Sequence, residues 1–269
     1  MFKNIKNGTV AALAAGVLLW LGLSPRVATR LYEVVLMPRV RTERSFSGGN
    51  PVRIMSNGVE LEGMMYIHPD ARKIVLYCGG RSSNLTKLSI PALALHKAGV
   101  SVVVVEPRGF GNAVGRASTK TLVEDYLCVY DSLLSLGYAP DDIVIYGESL
   151  GAAVAAYVSA RRSASGLILQ SAFSSLAREI KDLFPILRYP AAMYPQPRLA
   201  ADESLKQGHP PLLIIHGDED KVINVKHAHR LAAAAGCNTT LAILPGAGHF
   251  LVHGREDWFE AVTAFLSSL

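Results

Sequence analysis

From about residue 50 the chain alternates short, continuously apolar runs with longer segments whose apolar residues recur every three or four positions. The short runs are rich in β-branched residues and bounded by Gly, Pro, Asn or Asp, which predicts strands at 59–67, 73–78, 100–106, 142–146, 166–170, 212–216 and 240–244. The first of these alternates and is expected as an antiparallel edge strand. Most of the others are apolar throughout, as central strands covered on both faces are. Helical spacing covers 86–97, 119–136, 150–161, 225–235 and 256–266. Asn224 suits the N-cap of the fourth helix, and Gly236 is a natural stop. Alternating strands and helices predict an α/β fold with a mostly parallel central sheet and helices on both faces.

Two stretches break this rhythm. Between 170 and 212 lies a long excursion with a helical pattern at 174–184, followed by Pro185, Pro190, Pro195 and Pro197. Long insertions in compact domains tend to be functional. Residues of about 173–208 would lie over the carboxyl ends of the strands, where open α/β sheets bind ligands. This segment is read as a small cap; the alternative is a surface excursion with no substrate role. At the other end, Lys3 and Lys6 precede an apolar run at 9–23 that stops at Ser24-Pro25-Arg26. Such a run fits a membrane anchor or a signal-like core, and no A-x-A cleavage site follows it. Residues 1–30 are therefore expected as an uncleaved N-terminal anchor. Arg26, Arg30, Arg39 and Arg41 on the downstream side put the main domain in the cytoplasm. Export after signal cleavage and a helix docked on the domain are the other readings.

Composition adds a few limits. The chain has 269 residues, half of them apolar, enough for one domain over 50–269 with its own core. The net charge of +5 is not gathered into a basic run, so nucleic acid is not an expected partner. Cys78, Cys128 and Cys237 show no C-x-x-C spacing and are read as small buried hydrophobes rather than ligands or a disulfide framework. No metal or organic cofactor is implied. The sequence leaves the oligomeric state open.

The chemistry sits at Gly147-Glu148-Ser149-Leu150-Gly151, a G-x-S-x-G between a buried strand and an Ala-rich helix. That context makes it a nucleophile elbow, with Ser149 exposed on a sharp strand-to-helix turn. A serine hydroxyl needs a base and an orienting acid. In this architecture they follow in the order acid, then histidine. The loop after the strand at 212–216 offers Asp218, Glu219 and Asp220. Asp220 is chosen because it stands a few residues past the strand end. His249, in Gly246-Ala247-Gly248-His249, follows the last strand and is the expected base. His68, His96, His209, His216, His227, His229 and His253 lack such a context and are read as surface or core residues. The oxyanion hole is assigned to the backbone N–H of Leu150 and that of Arg81, in the Gly79-Gly80-Arg81 loop.

These residues resemble the α/β-hydrolase superfamily. More narrowly, they are similar to membrane-associated α/β-hydrolase-domain serine hydrolases, whose relatives include protein depalmitoylases and dienelactone-hydrolase-like enzymes. The resemblance covers roughly residues 50–269. It rests on the loop 77–85, the turn Glu106-Pro107-Arg108-Gly109-Phe110-Gly111, the elbow, and the segments 216–223 and 248–249. It implies an α/β-hydrolase fold with Asp220 as the acid of the triad. Two positions depart from that family's pattern: Gly79 stands where it usually has histidine, and Arg81 where it often has asparagine. The Arg81 side chain either meets an anionic substrate group or points to solvent, and Arg108 is expected in a structural ion pair.

The reaction expected is hydrolysis of a carboxylic ester or thioester through an acyl-enzyme, on a small-molecule or acyl-lipid substrate. Activity is expected to rise with pH as His249 loses its proton. The alternatives are a serine peptidase on the same fold and a non-catalytic α/β-hydrolase-like binding protein.

Overall fold

The computed structural model describes Glu33 and residues 48–183, 194–250 and 252–269. The anchor expected at 1–30 and the prolines Pro185 and Pro190 lie outside the described residues. No helix among the described residues is long and apolar enough to cross a membrane.

Eight strands form one sheet: β1 (Asn50–Ser56), β2 (Val59–Tyr66), β3 (Ile74–Cys78), β4 (Ser101–Val105), β5 (Ile143–Glu148), β6 (Gly166–Gln170), β7 (Leu212–Gly217) and β8 (Thr239–Leu244). Their spatial order is β1-β2-β4-β3-β5-β6-β7-β8. β1 and β2 are antiparallel to their neighbours, and every pairing from β4 to β8 is parallel. Among the described residues, the α-helices around it are α1 (Leu85–Lys97), α2 (Thr119–Ser135), α3 (Leu150–Ser159), α4 (Leu176–Leu183), α5 (Ala201–Leu205), α6 (Lys226–Ala235) and α7 (Glu256–Ser267).

The pleat decides which residues face which layer. Ile74, Leu76 and Cys78 of β3 turn to the side covered by α2, α3 and α6, while Val75 and Tyr77 turn to α1 and α7. β3, β4 and β6 are buried along their whole length, so their uniform apolarity reflects a helix layer on each face.

Two expectations change at the edge. β2 is not the edge strand; β1 lies outside it and pairs with it from Asn50 to Ser56. The hairpin turns at Asn57 and Gly58, both with positive φ (46° and 80°), the backbone that a tight two-residue loop requires. Pro51, Arg53 and Met55 point to solvent from β1, which breaks up its apolar signal. Cys237 also differs from expectation: it is exposed, whereas Cys78 is buried and Cys128 half-buried.

The helix expected at 174–184 forms as α4, starting two residues later because Ser174 is engaged elsewhere. The Ser174 backbone N–H donates to His227 Nδ1 of α6 at 3.0 Å, and its carbonyl accepts from Asp202 N–H at the start of α5. Leu176 and Ile180 of α4, Leu199, and Ala201 and Leu205 of α5 are buried in the core shared with α3 and α6. Both described ends of the insertion are thus packed into the core beside α3 and α6.

Candidate active site

The elbow has the strain its sequence implies. β5 ends at Glu148, α3 begins at Leu150, and Ser149 between them has φ 55° and ψ −117°. A non-glycine residue holds such a backbone only when its surroundings over-determine it. Here the Ser149 N–H donates to Gln170 O at 2.9 Å, and close packing allows no side chain at either flank. A Cβ on Gly151 would strike the Cys78 carbonyl, and one on Gly147 would strike Ala152 Cα.

Three distant stretches of chain meet at this turn. His249 Nε2 lies 3.2 Å from Ser149 Oγ, and His249 Nδ1 lies 2.7 Å from Asp220 Oδ2. Because a carboxylate only accepts, Nδ1 carries the proton, and Nε2 is left to accept from the serine hydroxyl. Asp220 and His249 are buried. Burial alone would raise the Asp220 carboxyl. Hydrogen bonds from His216 and His249 and from the Ile223 N–H outweigh it and hold the group well below the usual carboxylate range. The other Asp220 oxygen accepts from the Val222 and Ile223 N–H groups, both at 2.8 Å.

The other two acids of that loop are placed differently. Asp218 accepts from the Gly246 N–H at 2.7 Å and so ties the loop that carries Asp220 to the loop that carries His249. Glu219 is exposed, and its N–H donates to Ala247 O.

The loop after β3 lies against Ser149. A Cβ on Gly80 would sit 3.4 Å from Ser149 Cβ, ordinary contact distance. At Gly79 there is no room for a larger residue: a Cβ would come within 2.5 Å of Ser83 Oγ and 2.7 Å of Leu88 Cδ2. The absence of the usual histidine there is therefore built into the packing of this loop on α1. Arg81 is exposed. Arg108 forms the expected structural pair: its Nε and Nη2 lie 2.9 and 2.6 Å from Asp125 Oδ1, and its N–H donates to Oδ2.

Two histidines read as bland stand next to this arrangement. His216, at the end of β7, has Nε2 2.8 Å from Ile223 O and 3.3 Å from Asp220 Oδ2. His253 belongs to a buried polar cluster behind the elbow. Tyr77 Oη donates to Glu148 Oε2 at 2.6 Å and lies 3.2 Å from His253 Nε2. Gln170 Nε2 is 3.3 Å from the same nitrogen, while Gln170 Oε1 accepts from Tyr146 Oη and from Trp258 Nε1. Burial pushes His253 below the usual histidine range, against the pull of Glu148. The cluster connects the ends of β3, β5 and β6 to the chain just beyond His249. The fully buried His227 is also partnered, by Ser174 and by Glu179 and Asp182 of α4, at 3.1 and 3.3 Å from Nε2. Each of these roles depends on contacts across 45 residues or more, or on loop closure, and no local pattern announces them. Among the described residues, no group of three or more His, Cys, Asp and Glu side chains is arranged to hold a metal ion.

A mostly parallel eight-stranded sheet with a serine on the strand-helix elbow after β5 defines an α/β-hydrolase. The chain belongs to the hydrolase family described as Serine aminopeptidase, S33, whose model matches residues 69–207. An uncharacterised protein of Mycobacterium tuberculosis (strain ATCC 25618 / H37Rv) is 30% identical over 270 residues, covering 96% of this chain and 92% of its own. The alpha/beta hydrolase domain-containing protein 17B of Homo sapiens is 27% identical over 203 residues, 74% of this chain and 68% of its own. In fold, the chain is similar to the esterase Pf2001 of Pyrococcus furiosus, with a TM-score of 0.69 at 18% identity over 87% of this chain and 96% of that one. It is likewise similar to Est1E of Butyrivibrio proteoclasticus bound to ferulic acid, with a TM-score of 0.67 at 18% identity over 81% and 98%.

Proposed function

We propose that this hydrolase cleaves carboxylic esters or thioesters through an acyl-enzyme on Ser149. The supporting observation is the continuous contact from Ser149 Oγ through His249 to Asp220, at 3.2 and 2.7 Å. His249 takes the hydroxyl proton as Oγ attacks the carbonyl carbon, then delivers it to the departing alkoxide or thiolate. Asp220 holds the imidazole tautomer and stabilises the imidazolium. Water then attacks the acyl carbon and gives its proton to His249, which passes it to Ser149 Oγ as the acyl bond breaks and the acid leaves. The developing oxyanion is assigned to the N–H groups of Leu150, at the N-terminus of α3, and of Arg81. The close approach of Gly80 to Ser149 favours that assignment.

An apolar acyl group fits the surroundings. Phe250 packs edge-on against His249 with ring centroids 4.9 Å apart and is itself largely exposed, as is Val222 beside Asp220. The insertion at about 173–208 is assigned to a cap over this group. Residues 1–30 are assigned to an anchor that keeps the enzyme at a membrane with its catalytic domain on the cytoplasmic side. Membrane fractionation of the full chain beside a chain lacking 1–30 tests that part.

A fluorophosphonate probe, with p-nitrophenyl esters of increasing chain length and an acyl-thioester, tests the chemistry. Wild type labels and turns over; Ser149→Ala does neither while remaining folded. Hydrolysis that survives Ser149→Ala would mean that another nucleophile is at work. The family description favours one second reading, removal of N-terminal residues from peptides. Faster turnover of aminoacyl p-nitroanilides than of the esters would select it.

A further inference from the structure

We infer that His216 is a positioning residue for the acid of the triad, acting through its distal ring nitrogen; this rests on the assignment of Asp220 above. His216 is the penultimate residue of β7 and is completely buried. Its Nε2 lies 2.8 Å from the Ile223 carbonyl oxygen, which can only accept, so Nε2 carries a proton whatever the charge of the ring. The same N–H is 3.3 Å from Asp220 Oδ2, the oxygen that faces His249. The ring's other nitrogen has no hydrogen-bond partner among the described residues. All the polar contacts of this side chain are therefore made through one nitrogen, which bonds to the end of a short loop and lies beside the carboxylate at its middle.

The loop explains what that N–H achieves. The chain leaves β7 at Gly217, carries Asp220 at its middle and returns to Ile223. There the N–H donates to Asp220 Oδ1 at 2.8 Å and the carbonyl accepts from His216. His216 closes the loop on itself and sets its N–H beside Oδ2, the carboxylate oxygen that Val222 and Ile223 do not bond. Oδ1 is held by two backbone N–H groups, and Oδ2 by two imidazoles. Rotation of the carboxylate away from His249 would break the bonds from Val222, Ile223 and His249 and would draw Oδ2 away from the buried His216 N–H. A buried donor left unmade costs more than the bond itself contributes. His216 is thus the element that makes one carboxylate orientation unique, and His249 depends on that orientation.

The test compares side chains that differ in where they place an N–H. A glutamine amide reaches the position of the distal ring nitrogen, whereas an asparagine amide stops at the proximal one. His216→Gln is expected to keep kcat/KM for p-nitrophenyl butyrate within about threefold of wild type. His216→Asn and His216→Leu are expected to lose about 100-fold, the scale of a misplaced catalytic group, in kcat and not in KM. Their acid limb should move to lower pH, because a His249 imidazolium with a poorly aligned carboxylate is less stabilised. Proton NMR gives a readout independent of turnover. The far-downfield signal of the His249 Nδ1 proton should persist in His216→Gln and be lost in His216→Asn.

Wild-type kinetics, acid limb and downfield signal in His216→Asn, with only a lower melting temperature, would overturn the inference. So would an acid limb that moves to higher pH, since His216 would then be competing with His249 for the carboxylate. If His216→Leu does not fold, the Gln and Asn pair still decides. Ser149→Ala run alongside separates the two claims. Activity in that variant defeats the serine mechanism, while the NMR signal still reports whether His216 holds Asp220.

Discussion

Gly217 and Ala247 meet backbone to backbone: the place a Cβ would take on Gly217 is already filled by the Ala247 carbonyl oxygen. Gly217 stands three residues before Asp220, and Ala247 two before His249. The same carbonyl accepts from the Glu219 N–H at 3.0 Å. The spacing of Asp220 and His249 is therefore set by main chain packed on main chain. Gly217→Ala is expected to push the two loops apart and lower kcat/KM for a p-nitrophenyl ester by about 100-fold. The fold should lose about 1–3 kcal/mol, as overpacked sites do. Ester kinetics beside urea unfolding measure both, and wild-type turnover in this variant would show that the contact does not set the geometry.

Asp125 is the acceptor that fixes the loop after β4. It receives the Ser56 hydroxyl from β1 at 2.6 Å, and the N–H, Nε and Nη2 of Arg108 at 2.8, 2.9 and 2.6 Å. Both partners of the ion pair are largely withdrawn from solvent. Removing one side of a buried pair leaves the other charge uncompensated, which costs about 3–5 kcal/mol. Asp125→Ala should lose that much in urea unfolding. A loss below about 1 kcal/mol would put this pair with exposed ones, which contribute little.

The parts legible in the sequence are those where one residue pattern has one physical cause. β3 to β7 were readable because strands covered on both faces are apolar throughout, α1, α2, α6 and α7 because each shows a helical apolar stripe, and α3 because it is apolar nearly all round. The elbow was readable because its two glycines and its serine are all required within five residues. β1 was missed because Pro51, Arg53 and Met55 interrupt its pattern, although Asn57-Gly58 was the turn signal that could have exposed it. α5 is only five residues long, and its burial comes from packing on α3 and α6. Asp218, Glu219 and Asp220 are chemically alike in sequence. What separates them is which one the Gly217 crossing turns towards His249, and that is decided by chain 30 residues away. His216 and His253 were unreadable for the same reason, since their partners come from loop closure and from three different strands.

His253 should make its own contribution to the pH dependence of stability. Its ring faces Tyr77 and Gln170, packs edge-on to Trp258 and feels the Glu148 carboxylate through Tyr77. Burial, the larger influence, keeps its folded pKa below the ordinary value of about 6.5. The unfolded chain therefore takes up a proton that the folded protein resists. The stability this neutral ring contributes is present above about pH 6.5 and is lost as pH falls towards the folded pKa. His253→Gln has no such proton to take up. The stability gap between wild type and His253→Gln should narrow as pH is lowered from about 7.5 to about 5, followed by urea unfolding at each pH. A gap that stays constant or widens would show that the imidazole is not held in its neutral form by the fold.

Asp220→Asn separates the two duties of the carboxylate. An amide nearly matches its shape, but it lacks the charge and the freedom to accept on both atoms. His249 would lose the acceptor that keeps the proton on Nδ1, so its Nε2 would no longer be free to take the Ser149 proton. Ester hydrolysis at neutral pH is expected to fall by about 10⁴-fold, the scale on which such an acid-to-amide change acts. The second duty is structural. Hydrogen bonds from His216, His249 and Ile223 outweigh burial and depress the folded pKa, so the ionised group stabilises the fold above its unfolded pKa of about 3.9. That stabilisation disappears as pH falls towards the depressed folded value, where the folded carboxylate also takes a proton. The deficit of Asp220→Asn relative to wild type should therefore be full above about pH 5 and shrink progressively below about pH 4. Urea unfolding from about pH 6 to about pH 2 reads this directly. A deficit unchanged down to the acid end would mean that the four donors around Asp220 hold its shape without favouring its charge.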